Sequence, residues 1–334
     1  MPPSAKRAVV FLALIGVVAG LTFALQLRRR GGENRDLAFG RPIDQAAPAS
    51  LAARRATAAV GERAMQHCRE LVALGPRYFG QPGWSKQLDY IVKTLGQHGL
   101  AAQRDTWTDR RELITFSNVS ATIPGDLPGR VLLACHHDTK CTTGHPIAEH
   151  NFDFVGANDG ASGVGLLLAL APVLKERRDR ATVELVFFDG EESLDFHWND
   201  SRALFGSKRF VRRHLEARAR GEEPAITGVV LLDMVGRVDL HIQEDLYSDP
   251  ELRRLCWSAA FATGHEAKFF RVAEAAKDDH VPFLRAGIPA IDLIDLKGNP
   301  YWHTRYDTLE FLSADSLRAV ADVVLTMIPN IGPR

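Results

Sequence analysis

The stretch "VELVFFDGEESLDFHW" (residues 183–198) sets Asp189, Glu191 and Glu192 directly behind a run of strand-forming apolar residues. Carboxylates this close repel one another unless a cation lies among them, so a cation is the first expectation. Residues of the same kind recur at the ends of other apolar runs. His136, His137 and Asp138 follow "VLLAC", Asp233 closes "VVLLD", His303 comes one loop after "AIDLID", and Asp159 stands just ahead of a helical pattern. Singly, each has a plain structural explanation: Asp159 as a helix N-cap, Asp233 as a turn residue, His303 as a solvated loop histidine, the Glu pair as surface charge. Their convergence on one edge argues for a metal site. Imidazole nitrogen and carboxylate oxygen suit zinc, and a catalytic zinc keeps three protein ligands and one open position. Neighbours on a loop cannot both face one ion. One of Glu191 and Glu192 is therefore expected to ligate while the other moves protons as general base and acid.

The elements that must position these residues alternate along the chain. Helical spacing of Ala64, Cys68 and Leu71, then of Leu88, Ile91 and Leu95, flanks the loop "LGPRYFGQPG". Strands are read in "LITFSNVSATIPG", "GRVLLACHHD", "TVELVFFD", "GVVLLDMVG" and "IPAIDLID". A further stripe, Val164, Leu167, Leu168, Ala171 and Leu174, predicts a helix with Asn158 or Asp159 as its N-cap. Two more helices are expected over residues 251–262 and around Leu317, Val320, Val324 and Met327. The pattern predicts a three-layer α/β/α domain around a twisted, mostly parallel mixed sheet. In such sheets ligands bind outside the carboxyl ends of the strands, where the candidate ligands fall. No repeat interrupts the pattern, so residues 51–334 are read as one catalytic domain.

Ahead of that domain, "AVVFLALIGVVAGLTFAL" (residues 8–25) carries no charge and comes close to the ~20 apolar residues that a bilayer-crossing helix needs. Residues 1–27 are read as a transmembrane signal-anchor, since no small-residue cleavage site follows, and residues 28–50 as a polar linker. Basic residues flank both sides of the apolar run, so charge alone fixes no orientation. The expectation is a single-pass membrane protein with its catalytic domain extracytoplasmic, periplasmic or luminal. Lys plus Arg and Asp plus Glu number 41 each, a balance that offers nucleic acid no attractive field. Cys135 and Cys141 lie close enough in sequence to bridge, and their redox state stays open.

Several of these motifs together identify a resemblance. "FSNVSATIPG", "VLLACHHDTK", "GANDGASG", "FFDGEESLDFHWNDSRALFGSKRF", "LLDMVG", "DDHVPFLRAGIPAIDLI" and "WHT" resemble the zinc aminopeptidase superfamily, and within it the animal-type glutaminyl-peptide cyclotransferases. The His-Trp segment after the Glu pair and the Trp before the last histidine separate these cyclases from ordinary aminopeptidases. The resemblance implies one zinc per chain held by Asp159, Glu192 and His303, with Glu191 as general base and acid. It also implies an acidic network of Asp233 and Asp278 beside Glu191, a substrate pocket walled by Trp302 and Trp198, and His136 and Lys140 near the site. The implied reaction converts an N-terminal glutaminyl residue of a peptide or protein to pyroglutamate with release of ammonia. Three features depart from the pattern: His137 where relatives often carry an aromatic residue, the loop "KGNPY", and Val164 where a cysteine partner for Cys135 can stand. One alternative is an aminopeptidase with two zinc ions, the second on His136, Asp159 and Asp233. Another is an inactive, membrane-tethered binding module.

Overall fold

The computed structural model describes residues 37–333, so the apolar run at residues 8–25 and the start of the linker lie outside the described residues. A compact unit begins at Phe39. Among the described residues no helix is long and apolar enough to cross a membrane. The chain enters through an extended segment that leads into α1 (Ala58–Val72) and α2 (Pro82–Gln97). Strands β1 (Gln103–Thr108), β2 (Thr115–Ile123) and β3 (Leu127–His136) follow, then α3 (Ala161–Glu176), β4 (Ala181–Phe188) and α4 (Phe205–Ala219). The remainder comprises β5 (Gly228–Asp233), β6 (Ile242–Asp245), α5 (Pro250–Thr263), β7 (Phe269–Glu274), the short α6 (Val281–Arg285), β8 (Ala290–Ile294) and α7 (Ala314–Met327).

Six strands form one sheet in the order β1-β2-β4-β3-β5-β8, and β6 pairs with β7 apart from it. The pairs β3 with β4, β3 with β5 and β5 with β8 are parallel, while β1 and β2 add antiparallel pairing at one edge. Strand alternation divides the core into two layers, as a period of two requires. Val131, Leu133 and Cys135 face α1, α3 and α7, whereas Leu132 and Ala134 face Val211 of α4 and Phe283 of α6. The three layers and the mixed, mostly parallel sheet agree with the sequence reading.

Helix α3 departs from it in two ways. It is buried nearly all round rather than along one stripe, because it lies between the sheet and α1. Its N-cap is Gly160, at φ +94°, and no side chain caps it. A Cβ at Gly160 would stand 2.7 Å from the Asp138 carbonyl oxygen, so only glycine lets the chain turn here. Asn158 instead accepts the amide of Gly236 (2.8 Å), and Asp159 is left free to face the sheet edge.

Candidate active site

The register of the parallel strands builds the first half of the site. Pairing of Ala134 with Leu231 carries His136, at the end of β3, to the level of Asp233, at the end of β5. Their side chains meet at 3.0 Å, and His136 Nε2 also lies 3.3 Å from Asp159 Oδ1. The second half comes from loops. The other Asp159 oxygen is 3.3 Å from His303 Nε2, which lies 3.1 Å from Glu192 Oε1. Two groups of ligand-type atoms result, each lying within 4.8 Å of one another: Asp159, Glu192 and His303, and His136, Asp159 and Asp233. Asp159 belongs to both and Glu191 to neither.

This donor set fits a divalent cation of the zinc type. Its atoms are imidazole nitrogens and carboxylate oxygens, and the buried Asp159 Oδ2 has the 3.3 Å approach of His303 Nε2 but no well-formed hydrogen bond. Electrostatics point the same way. Burial opposes a charge on His303, yet Glu192 and Asp159 lift its pKa to about 9. Burial likewise opposes a charge on His136, and Asp233 with the hydrogen bonds to its carboxylate neighbours overcomes it. The acids thus gather positive charge wherever the chain supplies it. Backbone strain sits at the same place: His303 has φ +52° and Met234, directly after Asp233, has φ +49°. Such conformations cost non-glycine residues about 1–3 kcal/mol and persist where the surroundings impose them.

Glu191 is buried near the start of the loop after β4. Burial, then the charges of Asp278 and Glu192, push its pKa well above the usual carboxylate range. Asp278 is buried too, and its Oδ2 has no hydrogen-bond partner. Lys140, only 2 % exposed, lies 3.4 Å from Glu192 Oε2 and donates to the carbonyls of Ser193 (2.7 Å) and Asp195 (3.1 Å). His136 and Lys140 therefore lie at the site, buried against its carboxylates. Trp302 is 45 % exposed and stacks on His303 at a ring separation of 4.3 Å. Trp198 is 39 % exposed on the loop that follows Glu192.

Other residues were not singled out by the sequence, or were given a different part. Asp138, grouped there with the ligand-type residues, joins neither cluster. Its two oxygens accept the amides of Glu191 (3.2 Å) and Glu192 (3.3 Å) and so fix the Glu-Glu turn. Asp307 does the same for the loop that carries Asp159, accepting the amides of Asn158 (2.7 Å) and Asp159 (3.0 Å). Nothing in the spacing of Asp307 signals that task. His137 is a fully buried structural residue between Gln87 (2.9 Å) and the Ser117 carbonyl (3.0 Å). All four cysteines are free thiols, including Cys135 and Cys141.

Comparison with known proteins agrees with this arrangement. Residues 118–328 match the model of Peptidase family M28. The chain is 27 % identical to a glutaminyl-peptide cyclotransferase of Drosophila melanogaster over 76 % of its own length and 78 % of the relative's. Among solved structures it is similar to an Acidobacteriales bacterium glutaminyl cyclase: 31 % identity, TM-score 0.72, with 87 % of this chain and 98 % of that one covered. A Zn-dependent exopeptidase from Parabacteroides distasonis is similar at 25 % identity and TM-score 0.70, over 81 % and 98 % of the two chains. With its ligand-type residues on the sheet edge and nearly two thirds of its length matching the family model, the chain belongs to Peptidase family M28.

Proposed function

We propose that the chain is a glutaminyl-peptide cyclotransferase that closes N-terminal glutaminyl residues of peptides to pyroglutamate and releases ammonia. The observation that carries this reading is similarity to glutaminyl cyclases over nearly their whole length, combined with a buried Glu191, its proton affinity raised by burial and by its acidic neighbours, beside the Asp159, Glu192 and His303 cluster. Those three residues would hold a zinc ion. When bound there, it supplies Lewis acidity toward the γ-carboxamide oxygen of the substrate.

The chain's own residues do the rest. Glu191 takes a proton from the α-amine as that nitrogen attacks, then returns one to the departing amide nitrogen. A carboxyl whose proton affinity is raised by burial and by Asp278 suits both halves of that exchange. Asp233 and Asp278 keep the surroundings of Glu191 acidic, and Asp138 and Lys140 hold the Glu-Glu turn in place. Attacking and attacked groups belong to one residue, so the walls mainly have to fold that side chain back and exclude water. Trp302 and Trp198 are suited to this.

The second group, His136, Asp159 and Asp233, favours the two-metal aminopeptidase as the competing reading. Zinc analysis of the purified full chain separates the two, with one ion per chain expected for the cyclase and two for the peptidase. Offering Gln-initiated and Leu-initiated peptides side by side decides the activity. Residues 8–25 support tethering of the domain to a membrane. Protein that stays in the pellet after a carbonate wash and is released by detergent would bear this out.

A further inference from the structure

The loop between Glu192 and α4 is braced from several sides. Ser193 Oγ donates to the His197 carbonyl (3.3 Å) and accepts the amide of Asn199 (3.1 Å), closing a tight turn with Trp198 at its outer end. Asn199 Nδ2 reaches Asp195 Oδ2 (2.6 Å), and Asp195 pairs with Arg202, which also holds Glu112 at 2.9 Å. Trp198 itself has one polar tie: its indole N–H donates to Asp200 Oδ1. Asp200 in turn accepts Lys277 Nζ on both oxygens, at 3.0 Å each. Lys277 directly precedes Asp278. One carboxylate therefore joins the tryptophan on the loop after Glu192 to the segment that carries the acid beside Glu191.

We infer that Asp200 is a positioning residue that fixes the Trp198 indole against the glutaminyl side chain of the substrate by tying it to Lys277. The inference rests on the reading of Trp198 as a pocket wall. An exposed ion pair contributes little to stability, so a merely structural role predicts no change in kinetics. An indole that loses its acceptor, by contrast, samples orientations that no longer oppose the substrate. That loss appears in KM, because the zinc ligands and Glu191 are untouched.

The test is a double-mutant cycle on the full zinc-loaded chain with a Gln-initiated peptide. Asp200→Ala is expected to raise KM about 3- to 10-fold, the loss associated with one hydrogen bond that orients a binding group, and to leave kcat within about 2-fold. Asp200→Asn, which keeps an acceptor for the indole, is expected to recover most of that KM. Lys277→Met is expected to raise KM less than Asp200→Ala. In a Trp198→Ala background, Asp200→Ala is expected to do nothing further. Unchanged KM in Asp200→Ala, or the same KM increase with and without Trp198, overturns the inference. A wild-type chain that forms no pyroglutamate refutes the functional reading itself, and the inference falls with it.

Discussion

Asp307 offers the sharpest test of how the fold places a ligand. Its carboxylate is 3 % exposed and accepts two consecutive amides, Asn158 at 2.7 Å and Asp159 at 3.0 Å, so it sets the direction in which Asp159 leaves the backbone. Asp307→Asn preserves size and shape but turns one acceptor into a donor facing an N–H. One charge-assisted hydrogen bond, worth about 1.5–3 kcal/mol, is lost, and the other becomes a neutral bond of about 1 kcal/mol. Part of this is offset. Burial, reinforced by the charge of Asp159, already pushes the Asp307 pKa to about 7, so the fold gains by losing that charge. The net expectation is about 1–3 kcal/mol of destabilisation, small enough for the domain to stay folded. The larger effect falls on the metal. Altering a group that orients a ligand typically weakens metal affinity about 10- to 100-fold. Competition of wild-type and Asp307→Asn proteins against a chromophoric chelator measures this directly, with circular dichroism confirming the fold. Unchanged zinc affinity in a folded variant would refute the claim that Asp307 aims Asp159.

Other predictions are simpler. Glu191→Gln should keep its zinc, since Glu191 belongs to neither ligand group, while turnover falls about 10²- to 10⁴-fold in a steady-state assay. Removing metal with a chelator should abolish turnover and adding zinc should restore it; full activity in the metal-free protein contradicts the site. His67 is paired with Tyr90 at 2.7 Å, and burial, with the charges of His98 and Arg63, lowers its pKa to about 4. A folded-state pKa below the ordinary value of 6.5 means that its contribution is complete above pH 6.5 and is lost as pH falls toward 4. The stability gap between wild type and His67→Gln in urea melts should therefore shrink by about 3 kcal/mol between pH 7 and pH 4. Thiol titration of the denatured, unreduced protein should find every cysteine reactive, and a missing pair would reveal a disulfide.

Much of the fold was legible because its signals are local. The buried strands carrying His136, Asp233 and the Glu pair read as short apolar runs, and the C-terminal edge rule then gathered their ends. Helix α4 was not read: its buried positions are Gly206, Ser207, Val211, His214 and Ala217, too small or polar to make a stripe. Strand β1, "QRDTWT", is an edge strand with little buried surface and no apolar run. The N-cap assignment failed at Asp159 because Gly160 takes the cap conformation and the site claims the aspartate. Asp138 and Asp307 act through backbone amides that only the folded loops bring within reach, and no residue spacing encodes that.

What the chain does to a peptide whose first residue is glutamine decides its function. Mass spectrometry of that peptide after incubation with the purified, zinc-loaded full chain, beside Glu191→Gln, is the direct measurement. Loss of one ammonia with the peptide otherwise intact, absent in the variant, is the predicted result. A peptide shortened by its first residue, or one left unchanged by wild type, would contradict it.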